Sequence, residues 1–177
     1  NIEKGLHIIG SHVDSPRLDL KPNPLITDLV GEKTTKLDSR VAFFGACDEL
    51  SCHLMEVRCL VKDQTLKNEL ETIVSTLSIM MGEVALGKSK IKEEHLEELL
   101  KLVEKYQINF GIVTKFVLPG QNLDAARIHI ARCVARRAEL AYAKVYDEYG
   151  GSDIIFEYLN KISTLLYALA LSYDVKE

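Results

Sequence analysis

The chain has 177 residues, of which 47% are hydrophobic and 27% charged, with a formal net charge of −4. This composition predicts a globular protein with a substantial core, and the weak negative charge argues against nucleic acid as a partner. No apolar run approaches the roughly 18 residues that a membrane span needs, so we expect a cytoplasmic protein with no membrane partner.

The first 35 or so residues differ from the rest of the chain. They hold three of the four prolines, Pro16, Pro22 and Pro24, and a short apolar run at residues 6–9. The run predicts one strand, and the prolines predict an extended loop because residues that precede proline avoid the helical region. We therefore expect an extended N-terminal segment over residues 1–26 and a helical domain over residues 27–177.

Helical periodicity begins at residue 38 and continues to the C-terminus. Gly87 is a predicted stop for the second helix, Gly150 and Gly151 end the fourth, and Asp153 is a predicted N-cap for the fifth. Four of the five predicted helices cover residues 41–61, 64–86, 91–106 and 123–149, and the fifth follows the Asp153 cap and extends to about residue 173. This pattern predicts an all-α fold, a five-helix bundle with a short non-helical N-terminal segment.

The four cysteines contain no CxxC pair, which argues against zinc-ribbon and thioredoxin-type sites. We interpret them as small buried residues of a reducing compartment, with no metal-binding or disulfide role. They are Cys47, Cys52, Cys59 and Cys133.

The fourth helix carries a charged stripe in an otherwise apolar setting. His129, Arg132, Arg136 and Glu139 recur at intervals of three, four and three, which places them on one face, whereas Arg137 lies off that face. Half-buried arginines need anions, and two guanidinium groups one turn apart suit a polyphosphate or carboxylates of a neighbouring helix or subunit. The alternative is an ordinary set of surface charges at i,i+4 spacing.

Other polar residues outside the stripe are also candidates. Lys36 and Arg40 could reach a phosphate, with Asp38 either part of that cluster or simply a helix N-cap. Asp48 lies on a largely apolar helix and needs a cationic partner unless it faces water. Asn160 lies in the middle of an apolar helix, where its amide must be satisfied by a ligand or a neighbouring backbone group.

Five motifs in sequence order extend this pattern: K-x-D-x-R, G-x-x-D-E-L, F-V-L-P-G, H-x-A-R-x-x-x-R-R-A-E and Y-L-N-x-x-S. Their order and spacing, from about residue 27 to the C-terminus, resemble the PduO-type ATP:cob(I)alamin adenosyltransferases. The resemblance implies a homotrimer of five-helix bundles, with ATP and a corrinoid bound at the subunit interfaces. Its substrates and cofactors would be ATP, Mg²⁺ and cobalamin.

The same resemblance implies a role for individual residues of this chain. Lys36 would contact the ATP phosphates, and Arg136, Glu139 and Asn160 would hold the nucleotide and its metal. The protein would then position two reactants in line and stabilise the charge of the leaving triphosphate, without supplying a nucleophile.

Three further residues would shape the site or contact the corrinoid. Asp48 would pair with Arg132 across the subunit interface, and Phe116 would press on the lower face of the corrinoid and exclude its axial base. The cobalt, once four-coordinate, could be reduced to Co(I), which attacks the C5′ carbon of ATP.

One departure from the family supports an alternative. The family opens with a Gly-rich T-K-T-G-D-x-G segment around the triphosphate, where this chain has PNPLITD. Glycines let backbone N–H groups approach phosphate, and prolines have no N–H. The second hypothesis is therefore a weakly active or non-catalytic paralogue that binds a corrinoid or nucleotide.

A third hypothesis concerns residues 5–25, which resemble the first metal-ligand segment of M18 aminopeptidases. In that segment His12, which precedes Asp14 in an H-x-D pair, would match a metal ligand. A co-catalytic metal site needs several more ligands from a longer chain. We therefore rank an M18-type zinc aminopeptidase fragment below the other two, and apart from the Mg²⁺ of the nucleotide we predict no metal site in the helical domain.

Overall fold

A computed structural model describes residues 25–27, 33–108 and 118–174 of the chain. Its elements are β1 (Leu25–Thr27), β2 (Lys33–Thr35), α1 (Ser39–Leu60), α2 (Gln64–Leu86), α3 (Glu93–Gln107), α4 (Leu123–Tyr149) and α5 (Asp153–Asp174). The predicted five-helix bundle is confirmed. The strand predicted at residues 6–9 lies outside the described residues.

A short antiparallel hairpin precedes the bundle, where the sequence indicated only an extended loop. Leu25 of β1 lies opposite Thr35 of β2, and Thr27 lies opposite Lys33. The hairpin spans the predicted boundary between the extended segment and the helical domain. Three-residue strands are too short to show a period-two pattern, which is why the sequence did not indicate them.

Local capping sets most helix ends. Asp38 is the N-cap of α1 and accepts a hydrogen bond from the backbone N–H of Arg40 at 2.9 Å. Asn122 caps α4 in the same way, through the N–H of Ala125 at 2.9 Å. Gly87 ends α2 in the left-handed conformation, with φ of 62°, as predicted.

The start of α5 differs from the prediction. Asp153 is the first residue of α5, so it is not the cap. The Ser152 hydroxyl accepts the N–H of Ile154 at 3.2 Å instead, and the Asp153 carboxylate accepts the Tyr146 hydroxyl at 2.9 Å. The acidic side chain still lies at the positive end of the helix dipole.

Three long helices, α1, α4 and α5, form the centre of the core, while α2 packs on α1 and α3 packs on α5. Burying each large apolar side chain contributes about 1.5–3 kcal/mol. Tyr142 of α4 is fully buried, and burial raises its pKa to about 12. Other large, fully buried side chains include Phe43, Leu50, Leu54, Leu70, Leu77, Ile128, Leu159 and Ile162.

Helix α5 is the one described helix whose length and composition would suit a membrane span. In the fold it is a core helix, because 61% of its apolar window is buried by the rest of the bundle. Core helices of water-soluble domains are commonly this long and apolar. The packing of α5 against α3 and α4 accounts for its apolar composition.

The prediction for the cysteines is wrong for three of the four. Cys47 is buried, and burial raises the pKa of its thiol well above the usual range. Cys52, Cys59 and Cys133 are exposed. Cys52 and Cys59 are seven residues apart and lie on one face of α1, which is turned to solvent, and spacing alone does not reveal this.

Candidate active site

The charged stripe of α4 lies along the edge where α4 packs against α5. Three of its four members contact side chains of α5 that recur at intervals of seven, and such spacing places them on one face. The contacts join His129 to Asp174, Arg132 to Tyr167, and Glu139 to Asn160. The stripe is therefore neither a simple solvated face nor a buried one.

One end of this stripe is buried. His129 Nε2 lies 3.0 Å from Asp174 Oδ2, and the two side chains are 9% and 1% exposed. The second oxygen of Asp174 accepts the backbone N–H of Gln121 at 2.8 Å. Asn122 Nδ2 also donates to the Tyr173 carbonyl at 2.7 Å. These bonds tie the end of α5 to the loop that begins α4.

Arg132 is half-buried in the middle of the stripe. The carbon of its guanidinium lies 5.8 Å from the centroid of the Tyr167 ring, within the range of a cation–π contact. Its Nη2 lies 3.7 Å from Cys133 Sγ, and its Nε is buried with no hydrogen-bond partner in the described structure. The guanidinium therefore retains hydrogen-bonding capacity for an anion.

Glu139 and Asn160 form a polar pair at the other end. Asn160 Nδ2 donates to Glu139 Oε1 at 3.1 Å. Asn160 is exposed at the edge of α5 rather than enclosed by apolar neighbours, because the apolar pattern of the helix does not reveal which edge faces water. The amide oxygen of Asn160 and the second carboxylate oxygen of Glu139 are hard oxygen donors, the type that Mg²⁺ prefers.

Arg136 differs from the other arginines of α4. It is exposed, and within residues 33–108 and 118–174 it has no hydrogen bond or ion pair. Arg137 pairs with Glu49 of α1, and Arg127 pairs with Glu56 of α1. With no partner in these ranges, the Arg136 guanidinium can donate hydrogen bonds to an anion.

Three other predicted residues are not brought to the stripe by the described structure. Asp48 is exposed and has no hydrogen bond or ion pair in the described part of the chain, so the structure does not bring it to Arg132 within one subunit. Lys36 is exposed in the turn between β2 and α1. Phe116 lies outside the described residues.

Arg40 and Asp38 belong to the helix cap. The Arg40 guanidinium lies 2.8 Å from the Asp38 carboxylate and 4.6 Å from the centroid of the Tyr149 ring. The hydrogen bond from Arg40 is the main reason why the pKa of Asp38 is held well below its usual range. This geometry favours the capping interpretation of Asp38 over a phosphate site.

Sequence reasoning missed Tyr167 and Asp174 as members of the site. The signal was present as a repeat of polar or aromatic residues seven apart, starting from Asn160. It could not be interpreted before the packing of α4 on α5 was known. Among the described residues, no three His, Cys, Asp or Glu side chains converge to form a metal cluster.

Sequence comparison relates the chain to known proteins. The chain is 29% identical over 151 residues to the corrinoid adenosyltransferase PduO of Salmonella typhimurium, a match covering 81% of the chain and 45% of that protein. It thus spans about half the length of that relative. It is 31% identical over 152 residues to the corrinoid adenosyltransferase of Bacillus subtilis, a match covering 81% of the chain and 79% of the relative.

A solved structure extends the comparison to the fold. It is a variant PduO-type ATP:corrinoid adenosyltransferase from Lactobacillus reuteri, complexed with cobalamin and ATP. The TM-score is 0.76 at 27% identity, and the superposition covers 85% of this chain and 88% of that one.

A family model described as Cobalamin adenosyltransferase matches residues 26–173. The matched range contains every residue predicted for the site. It begins after the stretch at residues 5–25, so the M18 resemblance of that stretch stays a prediction. With the matched range covering most of its length, the chain belongs to the cobalamin adenosyltransferase family.

Proposed function

We propose that this chain transfers the 5′-deoxyadenosyl group of ATP to cob(I)alamin, giving adenosylcobalamin and triphosphate. The observation that carries the proposal is the exposed guanidinium of Arg136, which has no partner in the described structure and lies one turn from the Glu139–Asn160 pair. The names of the curated relatives and the ligands of the solved neighbour support the same reaction.

The reaction is a nucleophilic displacement at carbon. Co(I) donates an electron pair to C5′ of ATP, the C5′–O bond breaks, and its electron pair leaves with the triphosphate. A cobalt–carbon bond forms and the cobalt becomes formally Co(III). The protein's contribution is to hold the two reactants in line and to stabilise negative charge on the leaving group.

The nucleotide belongs at the exposed end of the stripe. Arg136 would bind the phosphates, because a guanidinium matches two phosphate oxygens at once. Lys36 would join it from a neighbouring copy, because within one chain the start of α1 packs on Tyr149, thirteen residues along α4 from Arg136. Glu139 and Asn160 provide oxygen donors for Mg²⁺ at the same place. When bound, Mg²⁺ would neutralise part of the phosphate charge.

The proposal includes a homotrimer with its sites at the subunit interfaces. The family resemblance implies that Asp48 of one copy pairs with Arg132 of the next, and within one chain the two side chains are not in contact. The outer face of α4 exposes 51% of Ile130 and 67% of Leu140, apolar surface that a second copy would cover. Phe116 would contact the lower face of the corrinoid, and the expected location is the cytoplasm.

A spectroscopic assay tests the proposal. The purified protein is incubated anaerobically with ATP, Mg²⁺ and chemically reduced cobalamin, and the Co(I) absorbance is followed. We expect the absorbance to fall only when ATP is present, with adenosylcobalamin and triphosphate appearing in equal amounts. Light scattering should give a mass of about three times the 19.9 kDa chain.

Other outcomes would separate the hypotheses. No loss of Co(I) absorbance with a folded trimer would overturn the enzymatic proposal. Binding of corrinoid or ATP in that case would indicate the non-catalytic paralogue, as the PNPL sequence in place of a Gly-rich loop would allow. The M18 hypothesis requires Zn²⁺-dependent cleavage of peptides with an acidic N-terminal residue.

A further inference from the structure

The carboxylate of Asp174 joins three parts of the fold at one point. One oxygen lies 3.0 Å from His129 Nε2 in α4, and the other accepts the Gln121 N–H of the loop before α4 at 2.8 Å. Asp174 itself ends α5. We call the Asp174–His129–Gln121 set the carboxylate clamp.

The position of the Asp174 carboxylate is electrostatically unfavourable, both because it is buried and because of the helix dipole. Asp174 lies at the C-terminal end of α5, where the helix dipole is negative, and its side chain is only 1% exposed. A buried carboxylate persists only when hydrogen bonds satisfy its oxygens, and His129 and Gln121 supply them. Asp174 also lies just beyond the range matched by the family model, residues 26–173.

We propose that Asp174 is a positioning residue for the corrinoid side of the site, acting through His129 and Gln121. The inference rests on the proposed function. Through the Gln121 amide, the carboxylate holds the loop at residues 118–122, which begins two residues after Phe116 in the sequence. Through His129, it anchors the turn of α4 that also carries Arg132.

The clamp is distant from the nucleotide end of the stripe. His129 and Glu139 are ten residues apart on a continuous helix, which is about 15 Å along its axis. Loosening the clamp should therefore change the handling of the corrinoid and leave ATP binding at Arg136 and Glu139 intact. General damage to the fold would change both.

Steady-state kinetics test this separation. The trimeric Asp174→Ala protein should lose about tenfold or more in kcat/KM for the corrinoid, since a buried hydrogen-bonded carboxylate is removed. KM for ATP should stay within about twofold of the wild-type value. His129→Gln keeps a side-chain N–H donor and should retain more activity than His129→Leu. The matched control is Glu157→Ala, an exposed acid on α5 with no partner in the described structure, which should behave as wild type.

Amide hydrogen exchange provides a readout that needs no activity. The Gln121 amide should be protected in the wild type and in Glu157→Ala, and should exchange about tenfold faster or more in Asp174→Ala. If the wild type shows no adenosyl transfer, the proposed function fails, and with it the role inferred for Asp174, while the exchange data still report on the clamp itself. An unprotected wild-type Gln121 overturns the clamp. Released Gln121 with unchanged corrinoid kinetics, or equal changes for corrinoid and ATP, overturns the positioning role.

Discussion

Helix α4 makes polar contacts along two lines, one facing α1 and one facing α5, which we call the α1 seam and the α5 seam. The two seams differ in burial and in the type of contact. On the α1 side, Arg127 pairs with Glu56 and Arg137 pairs with Glu49, with side chains 39–57% exposed. On the α5 side, the contacts are a buried carboxylate–histidine pair, an arginine over a tyrosine ring and an amide–carboxylate hydrogen bond.

The two seams hold arginines that cannot be distinguished by sequence but differ in whether they are paired. On the α1 seam each arginine is neutralised by a glutamate of the same chain, so it adds little to stability and is not available to a ligand. On the α5 seam Arg136 has no partner among the described residues. A cation with no partner in the described part of the chain, beside side chains that α5 already holds in place, is the arrangement expected of a binding site.

Removing Arg136 should produce the largest effect. We expect Arg136→Ala to lower kcat/KM for adenosyl transfer by about a hundredfold or more, because a charge that stabilises the leaving triphosphate is lost. Arg127→Ala, on the other seam of the same helix, is the matched control and should stay within about twofold. The Co(I) assay measures both. Equal losses in the two variants would remove the distinction between the seams.

Breaking the Glu139–Asn160 pair should have the next largest effect. Asn160→Ala removes the amide that donates to Glu139 at 3.1 Å, and we expect KM for ATP to rise about tenfold. Because Asn160 is exposed, the free energy of unfolding should change by no more than about 0.5 kcal/mol. Kinetics and urea denaturation check the two statements, and a large loss of stability with unchanged KM would assign the pair a structural role.

The helix cap at Asp38 should affect stability rather than ATP binding. Asp38→Ala should lower the free energy of unfolding at pH 7 by about 1 kcal/mol, the usual effect of losing an N-cap. Asp38→Asn, which keeps a capping oxygen, should lose less.

The pH dependence of this effect has a definite sign. The pKa of Asp38 is held below its usual range in the folded protein, mainly by the hydrogen bond from Arg40, so the unfolded chain binds the proton more readily. The stabilisation is therefore complete above about pH 4 and decreases as the pH falls further. Urea denaturation at pH 7 and pH 3 should show the gap between wild type and Asp38→Ala narrowing in acid. A gap that is constant or wider at pH 3 would contradict the assigned cause.

The smallest effect is expected on the α1 seam. A double-mutant cycle on Glu56 and Arg127, whose atoms lie 3.3 Å apart with both side chains 39% exposed, should give a coupling energy below about 1 kcal/mol. High salt should reduce it further. A coupling of several kcal/mol would contradict the description of the α1 seam as a set of weak, exposed ion pairs.

The positions of the helices could be predicted closely from sequence, because their ends depend on local signals. The bounds predicted for α2 and α4 match the structure at both ends. Asp63 and Gly87 flank α2, and Asn122 and Gly150 flank α4, and all four act through the adjacent backbone.

The site could be predicted only in part, because its remaining features depend on tertiary packing. The stripe of α4 was visible as a spacing pattern, but its partners on α5 were not. Asn160 was expected within an apolar environment and is exposed, and three of the four cysteines were expected to be buried and are not. In each of these cases the helical period gives the face of a helix but does not say what covers it.

The turn between α4 and α5 affects the register in which α5 packs along α4. The Tyr142 hydroxyl accepts the Ser152 N–H at 2.8 Å and donates to the Ser152 carbonyl at 3.1 Å, from a ring buried in the core. A Cβ on Gly151 would collide with that hydroxyl. Sliding α5 along α4 by one residue would be a shift of about 1.5 Å, enough to break both bonds. The phenol of Tyr142 thus fixes one end of the α4–α5 register, and the bonds of Asp174 fix the other.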